Sequence, residues 1–236
     1  MIGAVIVAGG SGSRMKAAVR KQYLNLGGLP IVARTLMAFD RCPDLDRIVL
    51  VVPKDDLERC RAEVLVPLSL AHDVQLVAGG LRRQDSVFNG LSAIGVPDGT
   101  VMIHDGVRPF VRVSLMNACL AGAREVGGCI PAIPATDTLK LVDDHGMIVG
   151  TLNRKEVRLA QTPQTFSLDL IRRAHRLAAR RGFTATDDAS IAEFSGDRVA
   201  VVPGDPDNIK ITTPADLWIA RGIFARWHPT SAGQTD

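Results

Sequence analysis

The stretch that decides the fold is "AVIVAGGSGSRM", residues 4–15. A run of β-branched and apolar residues ends in Gly9, Gly10 and Gly12, which reads as a buried strand breaking into a tight turn whose bare N–H groups can be aimed at an anion. A dinucleotide fingerprint needs a third glycine where Met15 stands and an acidic residue about 20 positions on, yet no Asp or Glu occurs before Asp40. A Walker A loop needs Gly-Lys-Ser/Thr, which is absent there. The turn leads instead into a basic run, Arg14, Lys16, Arg20 and Lys21. That chemistry suits a site receiving several phosphates at once.

Working outward, apolar runs of strand length recur at 4–8, 48–52, 74–77, 100–103 and 129–133, separated by amphipathic segments at 30–39, 55–64, 85–94 and 114–125. This alternation predicts an α/β fold, a mostly parallel twisted sheet with helices on both faces. Ligands in such sheets collect at the carboxyl ends of the strands. The glycine loop ends the first strand, and "HDGVRP" ends the fourth. Capping chemistry predicts three closing helices, after Ser167, after Thr186 and after Thr213, with Pro214 at the first helical position of the last.

Residues 136–155, "TDTLKLVDDHGMIVGTLNRK", break the pattern with two strand-like runs around a turn at Asp143 to Gly146. They predict a protruding β-hairpin arm. An isolated hairpin is unstable in water, so the arm is expected to pack on a second subunit. The whole reads as a single domain over 1–227, with 228–236 a flexible tail.

The 236 residues, 46% hydrophobic, can bury a sizeable core. A net charge of +3 is too small for a nucleic-acid coat or a membrane patch. The distribution says more: the first 39 residues hold five basic side chains and no carboxylate, concentrating positive potential at the glycine loop. Cys42, Cys60, Cys119 and Cys129 lack metal or redox spacing and read as buried reduced thiols. No apolar run approaches the ~18 residues of a span, so a soluble, cytoplasmic protein is expected.

Among candidate residues, Arg14 and Lys21 can neutralise charge building on a phosphorus under attack. Asp105, directly after a buried strand, is placed to hold Mg²⁺ bridging triphosphate oxygens. His104 beside it reads as a hydrogen-bonding wall. In "GGLRRQDSVFNGL", residues 79–91, Gly79, Gly80 and Ser86 are placed to contact a base or ribose, with Arg83 or Asp85 fixing the loop. Lys210, between Ile209 and Ile211 in a short predicted strand, is expected to reach inward toward an anion.

In order and spacing, "AGGSGSRM" with "KQYL", "GGLRRQDSV", "HDGVRPF", "ATDTLK", "QTPQTF", "TDDAS" and "GDPDNIKITTPADL" resemble the 2-C-methyl-D-erythritol 4-phosphate cytidylyltransferases of non-mevalonate isoprenoid synthesis. The likeness runs from about residue 2 to 220. It implies a Rossmann-like nucleotidyltransferase fold that uses CTP and Mg²⁺, in which an acceptor phosphate oxygen attacks the α-phosphorus in line. Carried over by position, Ala8, Gly9, Gly10 and Gly12 wrap the nucleotide, and Gly80, Arg83 and Ser86 lie near cytosine and ribose. Arg14, Lys21 and Lys210 steady the α-phosphate, and Asp105 serves the metal. Arg154 and Thr186 face the polyol phosphate acceptor. The family's homodimers complete a neighbour's acceptor pocket with the arm, which suits Arg108, Asp137, Thr138 and Lys140. Gly106-Val107 stands where the family commonly has Ala-Ala, and Arg20 where it has proline. Related enzymes acting on ribitol 5-phosphate, and a catalytically silent nucleotide-binding dimer, are the alternative readings.

Overall fold

A computed structural model describes residues 1–10 and 20–229 of the chain. Gly12, Arg14 and most of the expected tail lie outside these described residues.

The opening apolar run forms β1 (Ile2–Val7). After a one-turn 3-10 helix at Lys21–Tyr23 come the short β2 (Asn25–Leu26) and β3 (Leu29–Pro30), then α1 (Ile31–Asp40). β4 (Arg47–Val52), α2 (Leu57–Cys60), β5 (Val74–Ala78), α3 (Arg83–Ala93), β6 (Thr100–Asp105), α4 (Val113–Val126) and β7 (Gly128–Pro134) continue the alternation. The helix expected over 55–64 is a composite, α2 being flanked by a 3-10 turn at Lys54–Asp56 and a wider turn at Arg61–Leu65. β8 (Lys140–Val142) and β9 (Ile148–Thr151) follow, then β10 (Arg158–Ala160), β11 (Gln164–Ser167), α5 (Leu168–Arg180), α6 (Asp188–Phe194), β12 (Ala200–Pro203) and α7 (Pro214–Trp227).

The central sheet runs β10-β7-β11-β6-β1-β4-β5, with β12 also pairing β7. β1, β4, β5 and β6 are mutually parallel, and β12 is parallel to β7, whereas β10 and β11 run antiparallel to their partners. Alternation along each strand splits the core into two layers. Ala4, Ile6, Ile48, Leu50 and Met102 pack with Leu36 and Phe39 of α1 and Met116 of α4. Val5, Val49, Val51, Val101 and Ile103 pack with Val87 and Leu91 of α3, Ile171 of α5 and Ala189 of α6. Both faces are therefore covered by helices, as the apolar periodicity requires. All four cysteines are free and buried, and no helix among the described residues is long and apolar enough to cross a membrane.

Two capping expectations hold. The Ser167 side chain accepts from Leu170 N–H, and Thr213 with Asp216 forms a reciprocal box over Pro214. The third shifts by one residue. Asp187, not Thr186, caps α6, its carboxylate accepting from Ser190 N–H at 3.0 Å. A second correction concerns residues 208–212, which form irregular backbone rather than a strand. Ile211 N–H bonds Val107 O at 3.0 Å, so this segment is pinned to a loop and joins no ladder.

The arm is a hairpin of β8 and β9 paired only with each other. Asp143 Oδ1 accepts from His145 and Met147 N–H, and Gly146 takes φ +77°, which closes the turn. Val142, Met147, Ile148 and Val149 are more than half exposed along it.

Candidate active site

The carboxyl ends of β1, β5 and β6 share one edge of the sheet, and a cavity of about 340 Å³ opens there. The backbone ladder extends just past each strand. Ala8 N–H reaches Val51 O at 2.8 Å, Gly79 N–H reaches Val52 O at 2.7 Å, and Gly106 N–H reaches Val7 O at 2.9 Å. The cavity loops thus hang from the rigid sheet.

Close approach explains the glycines. A Cβ on Gly80 would lie 2.4 Å from Asp85 Cβ, one on Gly79 2.8 Å from Ser86 Oγ, and one on Gly106 2.9 Å from Ala8 Cβ. Ser86 binds the second glycine turn to its helix, accepting from Gly80 N–H and donating to Arg82 O, both at 3.1 Å. Asp85 completes the turn by accepting from Arg82 N–H at 3.1 Å. Of the expected nucleotide residues, Ala8, Gly9, Gly10, Gly80, Arg83 and Ser86 all line the cavity.

Lys21, Asp105 and Lys210 line it too. Asp105 receives Lys210 Nζ at 3.0 Å and Arg108 Nε at 3.2 Å on one oxygen, and Arg83 Nε at 3.6 Å on the other. Burial opposes ionisation of this carboxyl, but the charges of Lys210, Arg83 and Arg108 outweigh it and hold the carboxyl well below the usual range. Lys210 points this way because Ile209 and Ile211 on either side pack into an apolar cluster with Val107 and Phe110. The loop is tied further by Arg108 Nη1 to Asn208 O at 2.7 Å and by Gln161 Nε2 to Asp205 O at 2.8 Å.

His104 is the wall the sequence suggested. Its Nε2–H donates to Arg108 O at 3.0 Å, and since a carbonyl only accepts, Nδ1 is left to accept from Thr162 Oγ1 at 2.9 Å. Thr162 Oγ1 in turn accepts from Asp105 N–H at 3.1 Å. Burial depresses the imidazole from 6.5 to about 4, keeping it neutral.

Arg83 extends the network outward. Its Nη2 meets Asp188 at 2.8 Å, and His175 Nε2–H donates to the other oxygen of Asp188 at 3.2 Å. Asp188 is fully buried, and Gln164 Oε1 accepts from its N–H and that of Ala189. Sequence reasoning missed Asp188, His175 and Gln164; the second aspartate of "TDDAS" was the one available signal.

The acceptor residues are less gathered. Arg108 touches Asp105, but Arg154, Asp137, Thr138 and Lys140 are exposed on the arm or at its base, and Thr186 is exposed ahead of α6. Arg154 Nη1 bonds Thr136 O at 3.0 Å and Lys140 Nζ bonds Thr151 Oγ1 at 2.7 Å, contacts within the arm region. None of these five exposed residues lines the cavity of its own chain. Arg20 pairs with Asp56 at 2.8 Å.

No cluster of three or more His, Cys, Asp or Glu suited to a metal occurs among the described residues. Asp105 is the one carboxylate lining the cavity among them. That donor set fits Mg²⁺ held mainly by substrate phosphates, because this ion keeps waters and takes one or two carboxylates rather than a protein cage.

A family model described as 2-C-methyl-D-erythritol 4-phosphate cytidylyltransferase matches residues 2–226. The enzyme of that name from Geobacter metallireducens is 46% identical over 224 residues, covering 94% of this chain and 96% of the relative. Among solved structures, 4-diphosphocytidyl-2C-methyl-D-erythritol synthase from Anaerococcus prevotii superposes with a TM-score of 0.82 at 35% identity, over 94% of each chain. The cytidylyltransferase from Thermus thermophilus gives 0.76 at 33% identity, over 94% of this chain and 98% of that one. Motif order, sheet, cavity and relatives lead to one conclusion: the chain belongs to the 2-C-methyl-D-erythritol 4-phosphate cytidylyltransferase family.

Proposed function

We propose that this protein transfers the cytidylyl group of CTP to 2-C-methyl-D-erythritol 4-phosphate. A phosphate oxygen of the acceptor forms a bond to the α-phosphorus while the α–β bridging P–O bond breaks, releasing pyrophosphate and 4-diphosphocytidyl-2-C-methyl-D-erythritol. The observation that carries this reading is a glycine-walled cavity in which Lys21, Lys210 and Asp105 converge. An acceptor phosphate is itself the nucleophile, so the protein's task is positioning and charge stabilisation.

In this reading Lys21 and Lys210, together with Arg14, stabilise charge gathering on the α-phosphoryl oxygens. Lys210 leaves Asp105 for the phosphate, and Arg83 and Arg108 remain to neutralise that carboxylate. Gly9, Gly10 and Gly80 admit the nucleotide to backbone contact, with Ser86 and Arg83 toward the base and ribose. Asp105 would hold Mg²⁺, which screens the triphosphate charge when bound. Arg154, Thr186, Arg108, Asp137, Thr138 and Lys140 serve the acceptor, the arm residues across a homodimer. The apolar, exposed arm supports that assembly. Four buried free thiols accord with a reducing, cytoplasmic location.

The test is pyrophosphate release from CTP and Mg²⁺ with 2-C-methyl-D-erythritol 4-phosphate or ribitol 5-phosphate as acceptor. Release with the first alone is expected. Release with ribitol 5-phosphate alone would retain the chemistry and refute the acceptor, and release with neither would refute the transferase reading.

A further inference from the structure

A second cavity, about 310 Å³, lies among α1, the segment 109–113 and the end of α7, and shares no lining residue with the nucleotide cavity. Its apolar surface comes from Met37, Phe110, Phe224 and Trp227. Its permanently charged side chains are all arginines, Arg34, Arg41 and Arg112, with no Asp or Glu among the lining residues.

The three guanidiniums differ in what they meet. Arg112 is neutralised by Asp205 at 2.9 Å and Asp207 at 3.5 Å, and lies 4.1 Å from the centre of the Trp227 ring. Arg34 donates to the carbonyls of Leu26, at 3.1 Å, and Gly27, and stands 4.6 Å from the Phe224 ring centre, with no carboxylate of the described residues beside it. Arg41 follows Arg34 by about two helical turns and so shares its face. Its guanidinium makes no hydrogen bond or ion pair with any described residue. Arg34 is pushed below its ordinary value by burial and by the neighbouring Arg41 charge. Two guanidiniums at an aromatic-walled cavity, with no acid of the described residues between them, form a positive field that those residues leave uncompensated.

We infer that this cavity is a second ligand site, taking a small amphipathic anion whose carboxylate, sulfate or phosphate sits between Arg34 and Arg41. The planar or branched apolar body lies against Phe110, Phe224 and Trp227. Concave apolar pockets with a few convergent polar groups are where such ligands are held, and the guanidinium fork matches a planar or tetrahedral anion. The site also adjoins the nucleotide cavity's framework. Phe110 and Arg112 follow Arg108 in one segment, and Arg112 holds the aspartates that precede Lys210. A ligand here therefore presses on the two loops that meet at Asp105, and its binding and that of CTP are expected to influence each other.

The experiment titrates the purified full chain with 8-anilinonaphthalene-1-sulfonate and follows its fluorescence. One saturable site is expected. Arg41→Glu, at an exposed position that leaves the fold alone, should weaken binding about tenfold or more. Ala38→Trp, which fills the cavity, should abolish it, with the melting curve checked for both variants. Arg180→Glu on an exposed face elsewhere should change nothing; an equal loss there would mean the probe reads net charge and would overturn the site. Unchanged affinity in Arg41→Glu would overturn it as well. Added CTP separates the two cavities: a saturating shift in probe affinity is expected, no effect would refute the coupling between the cavities, and apparent weakening proportional to CTP without limit would place the probe in the nucleotide cavity and refute the inference.

Discussion

Asp188→Asn isolates the buried charge that anchors the cavity wall. The replacement keeps the side chain's size and removes its charge. Arg83, whose side chain is 27% exposed, would then keep Asp105 at 3.6 Å and the weaker pull of the Asp187 charge, and His175 would lose its anionic acceptor. Removing one member of a buried pair costs about 3–5 kcal/mol. Arg83 retains a partner and some solvent, so we expect the lower end, about 3 kcal/mol. In a chain of this size that corresponds to a melting temperature lower by about 6–12 °C. The pH dependence gives the loss its signature. Burial opposes ionisation of Asp188, but Arg83 and His175 outweigh it and hold its carboxyl below the ordinary value. Its contribution is thus fully present above the unfolded carboxyl value of about 3.9 and fades as the pH falls through the lower folded one. Urea unfolding followed by circular dichroism, from about pH 7 down to about pH 2, measures the gap between the two proteins across that window. A gap under about 1 kcal/mol at neutral pH, or one that persists undiminished into acid, would refute the reasoning.

Lys21→Ala and Lys210→Ala should lower kcat by about 10²–10³ while CTP affinity, read by calorimetry, changes less than about tenfold. Equal losses in both would assign these lysines to ground-state binding. Gly80→Ala, whose methyl would lie 2.4 Å from Asp85 Cβ, should cost about 1–3 kcal/mol and weaken CTP binding. Gly9→Ala, with 3.4 Å to Ser86 Oγ, should be milder, and the reverse order would contradict the packing argument. His104, neutral by burial, opposes protonation in the folded state only, so unfolding free energy should fall as the pH drops from 6.5 toward about 4. His104→Gln should flatten that part of the stability profile, and an unchanged slope would count against it. Ile148→Asp with Val149→Asp on the arm should shift sedimentation to the monomer and reduce activity; a monomeric parent protein would remove the basis for the shared acceptor site.

Local pattern carried much of this molecule. Alternation of apolar runs marks β1, β4, β5, β6 and β7, because a strand buried on both faces must be apolar whatever its neighbours are. Glycines at 9, 10, 79 and 80 mark the turns that end β1 and β5, the last two where other groups approach closely, and Ser167 and Thr213 mark helix starts, since a cap is satisfied within three residues. The turn at Asp143 to Gly146 is legible for the same reason. Contacts between distant segments were not. Nothing near Asp105 in the chain reveals that Arg83 and Lys210 join Arg108 in neutralising it, or that Arg83 also reaches Asp188. The antiparallel β10 and β11 are short, and their register depends on β7 and β6 being in place. Asp187 outcompetes Thr186 as a cap because Gln164, arriving from β11, donates to its carboxylate at 2.7 Å. Lys210 lies in irregular backbone because Ile209 and Ile211 dock on Val107 and Phe110, a surface that exists only once β6 is in the sheet. Periodicity and capping are satisfied within a few residues and can be read along the chain; buried charges are satisfied by whatever the topology brings to them, and only the folded structure decides that.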